Sequence, residues 1–436
     1  MLRRVSVWLL LVAVTSLPCA IAQTKERLAF LIPHIYGPNG LTVDSQAVNL
    51  DGTTHIAHFN DDFQNQFREF NTAWAGQLAS LPLPSPASGF TYTLDLSTGM
   101  QQRSTQSFGP LLTDRAETIG KNKLSFGFNY QQFRFDKLEG MRLSSFETTY
   151  RHEDFQLGGG RTDVITGDNS LEASIGQLIS FLTYGFTDTL DVSVAVPVVR
   201  TKLTMVSDAT IVRIGTIKDP TIHYFYDQGV PGGYGTHRQF SSTGTAEGLG
   251  DIVVRIKDHA LRRESFGAAL ALDVRLPTGD ELNLLGSGAY GVKPSLALSY
   301  VMKRFAPHLN VGYQWNSDSL LAGDLKTQKG KLPSQLLYAT GFDLGVSERL
   351  TLAFDYLGAR VFNSPRLGQS TFVGSDGKVY PDFQPRSGSF DVNDGAVGFK
   401  VNVAKRLLAN FDLRFRLNHA GLHDLASPLF GIEYNF

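Results

Sequence analysis

Two histidine pairs, His55 with His58 and His419 with His423, have spacings that could turn two imidazoles toward one metal ion. A zinc site needs three or four ligands drawn from cysteine, histidine and acids. Neither pair has such a cluster beside it, so no metal and no cofactor is expected. Hydrolase signatures are missing as well: there is no Gly-x-Ser-x-Gly elbow and no His-Glu-x-x-His. The run Gly158-Gly159-Gly160 reads as a flexible loop tip rather than a phosphate cradle. The chain is therefore not expected to be an enzyme. A different set of residues is informative. Lys257, Asp273, Arg275, Asp343, Asp412, Arg414 and Arg416 all stand within segments whose alternate positions are apolar. Such charges either line a polar lumen and select a solute, or satisfy one another across neighbouring strands.

The elements that must position these charges have a period of two. Leu124, Phe126, Phe128 and Tyr130 alternate with Ser125, Gly127, Asn129 and Gln131, and Phe411, Leu413, Phe415 and Leu417 alternate with Asp412, Arg414, Arg416 and Asn418. These are strands with one apolar and one polar face. Fourteen are predicted, at 90–96, 121–136, 143–155, 170–186, 189–204, 249–259, 264–277, 293–305, 308–317, 334–346, 349–361, 393–405, 408–419 and 428–436. Many are about twice the length of an ordinary globular strand. Short and long gaps alternate between them, as the turns and loops of an outer-membrane barrel do. The fold class is therefore all-β, a transmembrane antiparallel up-and-down barrel over 90–436 of about fourteen strands, with twelve as the alternative. Lipid offers no hydrogen-bond partner, so such a sheet must close, apolar face outward.

Composition agrees. The 436 residues carry 40 Lys and Arg against 41 Asp and Glu, which leaves no basic excess for nucleic acid. Thirty Phe and 15 Tyr require a surface to receive them. Residues 1–22 read as a secretory signal: Arg3 and Arg4, an apolar run from Val5 to Leu17, and Ala20-Ile21-Ala22 before a cleavage expected between Ala22 and Gln23. The remaining 414 residues contain no cysteine, so no disulfide is available.

Residues 23–89 break the alternation. Phe59, Phe63, Phe67, Phe70, Trp74 and Leu78 are spaced three or four apart, a stripe on one helical face, and the helix should end near Ser80, before Leu81-Pro82-Leu83-Pro84. This stripe either plugs the barrel and gates it, packs against its own N-terminal region, or docks on a periplasmic partner. At the other end of the chain, Phe430-Gly431-Ile432-Glu433-Tyr434-Asn435-Phe436 alternates and finishes on an aromatic residue. It resembles the closing strand of bacterial outer-membrane proteins, which implies that Tyr434 and Phe436 form the signal read by the barrel-assembly machinery.

Three further stretches, Tyr184-Gly185-Phe186-Thr187-Asp188-Thr189-Leu190-Asp191-Val192, Gly248-Leu249-Gly250-Asp251 and Leu276-Pro277-Thr278-Gly279-Asp280, resemble a family of outer-membrane proteins associated with the meta-cleavage pathway of phenol degradation. The overall plan is also similar to the long-chain fatty-acid channel family, whose members carry hydrophobic solutes past lipopolysaccharide. The resemblance implies a channel in the bacterial outer membrane for passive uptake of small hydrophobic or aromatic compounds, with membrane lipid and the solute as partners. A water-filled general porin is the alternative, and a non-transport barrel, enzyme or scaffold, is the second.

Overall fold

A computed structural model describes residues 26–37, 41, 43, 59, 68–80, 92–95, 100–103, 107–152, 158–219, 221–226, 233–263, 265–404 and 406–436. Twelve strands close into one antiparallel barrel: β1 (Leu124–Leu138), β2 (Val164–Gly185), β3 (Leu190–Val212), β4 (Ile252–Arg262), β5 (Phe266–Leu276), β6 (Gly291–Tyr300), β7 (Phe305–Asn316), β8 (Gln335–Gly345), β9 (Leu350–Val373), β10 (Val379–Ala404), β11 (Leu407–Arg416) and β12 (Ala426–Asn435). Each pairs with its sequence neighbours, and β12 closes on β1 through Leu429 opposite Gln131 to Asn435 opposite Ser125. No sheet edge is then left open to lipid.

The count corrects the expected fourteen to twelve. Residues Tyr92–Asp95 fold back on Met100–Arg103 as a separate hairpin. The segment expected at 143–155 supplies only Phe146–Arg151, which pairs with the far end of β2, Val164–Asn169. Both segments alternate as membrane strands do, and a period of two carries no information about which sheet a strand joins. Met141–Arg142, Phe146–Arg151, His237–Leu249 and Leu422–Asp424 are additional strands outside the ring. Two expected long loops are also partly strand. β9 and β10 run on as a hairpin to a turn at Gly374–Lys378, and His237–Leu249 pairs with the upper part of β3.

Strands of 22 to 26 residues in β2, β3, β9 and β10 exceed what a bilayer requires, about 9–11 residues. Their surplus builds a wall beyond the membrane. Nearer the short turns, Phe128, Leu182, Leu270, Val311, Phe354, Phe399 and Ile432 are exposed on the outer face. Inward positions of the barrel strands hold buried polar groups, among them Asn129, Thr183, Asp191, Lys257 and Asp412. This inverts the arrangement of a water-soluble protein, as a lipid-facing barrel demands.

Candidate functional site, a lumen crossed by two segments

Helix α1 (Arg68–Ser80) lies at the long-loop end. Phe70 and Trp74 are fully buried and Leu78 nearly so. Trp74 meets Phe135 of β1 edge-on, with centroids 5.2 Å apart, and its Nε1 donates to the Leu284 carbonyl at 3.3 Å. Asn71 Nδ2 donates to the Ala29 carbonyl at 3.0 Å, and Thr72 Oγ1 to that of Leu321 at 3.3 Å. The helix therefore packs on the wall, on two inward loops and on the turn at Leu28–Phe30 together. At its C-terminus Arg275 Nη1 donates to the Ala79 carbonyl at 2.7 Å, a cation where the helix dipole favours one. Phe59 is buried away from the helix, bridged to His152 and edge-on to His223 at 5.2 Å. Phe63, Phe67, His55 and His58 lie outside the described residues.

A second internal segment was not anticipated. Residues 107–120 cross the barrel at its short-turn end as a strap without ladder pairing. Its backbone groups must find partners elsewhere, and wall side chains supply them. Lys400 Nζ donates to the carbonyls of Phe108 at 3.2 Å and Pro110 at 2.6 Å, and Lys257 Nζ to that of Arg115 at 2.9 Å. The amides of Phe108, Ala116 and Ile119 donate to Thr351 Oγ1, Ser299 Oγ and Asp191 Oδ2 at 2.9, 2.7 and 2.9 Å. Thr113 Oγ1 donates to Asp355 Oδ1 at 3.0 Å, beside His308, whose Nε2 lies 2.7 Å from the same oxygen. Room for the strap comes from small inward residues. A Cβ on Gly398 would stand 2.6 Å from Leu111, and Ala353 and Ala396 pack on the same leucine.

The charged residues singled out from the sequence fall into two clusters and a remainder. Arg255 holds Asp273 through two bonds, at 2.6 and 2.8 Å, and reaches Asp114 of the strap at 2.6 Å; Lys293 adds a second cation to Asp273 at 2.9 Å. Arg275 contacts Asn316 at 2.8 Å and Asp251 at 3.7 Å. Across the lumen, Arg416 and Arg414 share Asp394, at 2.7 and 3.8 Å. Asp343 and Asp412 are buried near the strap; Asp343 Oδ1 lies 3.7 Å from His308 Nδ1, and the Asp412 carboxylate has no side-chain hydrogen-bond partner among the described residues. The sequence reading missed Asp394, Asp355, His308, Lys400 and the strap itself. Tyr434 and Phe436 lie on the outer face, rings 4.8 Å apart, and the Phe436 amide donates to Leu124 at 2.8 Å. His419 and His423 have their rings 5.1 Å apart, and His423 Nδ1 bonds to Asp136.

Between the helix end (Gln77–Ser80) and the strap (Leu112–Asp114) lies a cavity of about 210 Å³. Leu337, Ala339, Leu357 and Ala359 form an apolar strip on β8 and β9, with the Arg255–Asp273 cluster on one side and the Asp394 cluster on the other.

The motifs noted above meet in space. Thr278 Oγ1 donates to the Gly250 carbonyl at 2.6 Å and accepts from the Ile252 amide at 3.0 Å. Asp251 accepts from Ser287 N and Oγ at 2.8 and 2.6 Å and from Gly279 N at 3.2 Å. The two glycine motifs thus staple the inward loop 277–290 to the bend before β4. Residues 152–347 match the family described as putative MetA-pathway of phenol degradation. That span contains all three motif stretches. Among solved structures, an outer membrane channel from Pseudomonas putida F1 is 13% identical, covering 74% of this chain and 99% of its own, with a TM-score of 0.41. The CymD monoaromatic hydrocarbon channel is 10% identical over 72% of this chain and 88% of its own, TM-score 0.32. A FadL homologue from Pseudomonas aeruginosa is 10% identical over 80% and 96%, TM-score 0.32. No curated protein matches.

Proposed function

We propose that this chain is a bacterial outer-membrane channel for passive uptake of small hydrophobic or aromatic molecules. The observation that carries the reading is the cavity placed in line between helix and strap, with an apolar strip long enough for one ring or a short chain. Its volume falls below the ~300–1,000 Å³ of pockets for drug-sized ligands, which favours small solutes. The phenol-degradation family supports an aromatic solute. Strap and helix bound the cavity at its two ends, and the strap opens while the solute rests against the helix.

The test is uptake of radiolabelled phenol into lipopolysaccharide-bearing vesicles with and without the folded protein. Faster uptake with protein, slowed when an Ala116→Cys/Ser299→Cys disulfide locks the strap, is the expected result. Equal rates in all three preparations would refute the reading. The two ionic clusters favour a second reading, a water-filled path for polar solutes. A steady high conductance of the intact chain in planar bilayers, with sugar flux, would make that the better description.

A further inference from the structure

The short-turn rim carries a charge that the rest of the chain does not share. Lys121 and Lys123 precede β1, Arg263 lies between β4 and β5, Lys303 and Arg304 between β6 and β7, Arg349 between β8 and β9, and Arg406 between β10 and β11. All but Lys123 are exposed, and Lys123 is half-buried. Against these seven cations the described residues of the same rim offer two acids, Asp188 and Glu348, in a chain whose total charge is -1. Arg263, Lys303, Arg349 and Arg406 enter no salt bridge among the described residues. Chance placement in a near-neutral chain does not concentrate basic residues at four of the five short connections and at the entry to β1.

Two features say what covers this rim. The first is continuity with the lipid-facing surface. Phe186, Met302, Val346, Val403 and Phe436 are exposed apolar residues immediately beside the basic positions. Lys and Arg at such a boundary lay their stems along apolar surface and put their charge at the headgroup level. The second is distribution. The cations run around almost the whole circumference, whereas a protein partner would touch one arc.

We infer that the basic rim is a collar for anionic phospholipid headgroups in the leaflet on the short-turn side, which the outer-membrane reading above makes the periplasmic one. The phosphate and its negative charge are the recognised chemistry; phosphatidylglycerol is the simplest probe. A collar of this kind fixes the barrel's depth and holds the strap's end, at Gly120 and Lys121, against a charged surface.

The test uses the full folded chain in phosphatidylcholine vesicles with a trace of spin-labelled phosphatidylglycerol or spin-labelled phosphatidylcholine. Electron spin resonance separates lipid slowed by the protein from bulk lipid. About threefold enrichment of phosphatidylglycerol in the slowed fraction is expected, lost in about 1 M salt. The Arg263→Gln/Lys303→Gln/Arg349→Gln/Arg406→Gln variant, altered only at exposed turn positions, should show equal association of the two lipids. Equal association in the unaltered protein, or enrichment that survives in the variant, overturns the collar while leaving the membrane reading intact. The absence of any slowed lipid would remove the membrane reading and the collar with it.

Discussion

Asp114→Asn tests whether the strap is a separately opening part of the lumen. Asp114 Oδ2 accepts from Arg255 Nη1 at 2.6 Å, and both side chains are largely shielded from water. Hydrogen bonds to charged groups contribute about 1.5–3 kcal/mol. The amide keeps an acceptor for Arg255, and Arg255 keeps both bonds to Asp273, so the lower end, about 1.5–2 kcal/mol, applies. At about 1.4 kcal/mol per factor of ten, strap opening becomes roughly 10–30 times more frequent. The readout is hydrogen exchange of the peptide 107–120, whose Phe108, Ala116 and Ile119 amides are capped by wall side chains. Exchange there should accelerate by about tenfold while ladder amides of β4 to β8 keep their protection, the pattern of a local opening. Unchanged strap protection would refute the independent strap, and so would equal loosening of the ladder.

Three further outcomes follow from the geometry. Trp74→Ala removes a fully buried side chain, a change that costs about 3–5 kcal/mol, and should release α1 to protease while the barrel retains its heat-resistant compact form on gels. Ala359→Phe narrows the cavity at its apolar strip and should slow phenol uptake severalfold without altering strap exchange; unchanged uptake would place the route elsewhere. Asp163 sets a pH dependence at the outer end of β2. Burial pushes its carboxyl up, but hydrogen bonds from His223, Thr216 and the Ile214 amide outweigh burial and hold it below the usual carboxylate range. A carboxyl lowered in the folded state stabilises fully above its unfolded value, about 3.9, and loses that contribution as pH falls through the lowered one. Proteolysis at Arg213 and Lys218 should thus increase only below about pH 4, and Asp163→Asn should show the raised susceptibility already at neutral pH.

The barrel was legible because residues such as Phe128, Leu270 and Phe411 alternate with Asn129, Ala271 and Asp412 in strands longer than a globular sheet needs, joined by gaps that alternate between short and long. Strand number was less legible. Phe146–Arg151 satisfies the same period while pairing only with the surplus length of β2, and alternation cannot report where a strand leaves the membrane. The helix end near Ser80 was marked by prolines, and α1 stops there. The strap was hidden because it has no period at all. Its surroundings do carry a signal: Gly398, Ala353 and Ala396 leave room on the inner face, and the inward polar groups Lys400, Lys257 and Asp191 bond its backbone. A row of small inward residues flanked by long polar ones is the signal that a segment lies against the wall.

The two closures differ in kind, and this decides which one should move. Helix α1 is seated by Phe70, Trp74 and Leu78 in an apolar bed, and withdrawing it would expose that area to water at about 25 cal/mol per Å². The strap buries Phe108, Leu111, Leu112, Ala116 and Ile119 as well, but its backbone is held by hydrogen bonds that water can replace. It also lies over Asp412, whose buried carboxylate has no side-chain hydrogen-bond partner among the described residues. Burying a polar group without partners carries a penalty that hydration removes, and this penalty brings the docked strap closer in energy to its open form. We propose that residues 107–120 share or take over the gating role expected of the Phe59–Leu78 stripe, with α1 as the stop at the other end of the cavity. Asp412→Leu separates the two: removing the penalty should tighten the strap and slow its hydrogen exchange, whereas faster exchange would mean that Asp412 holds the strap down and that the helix must do the moving.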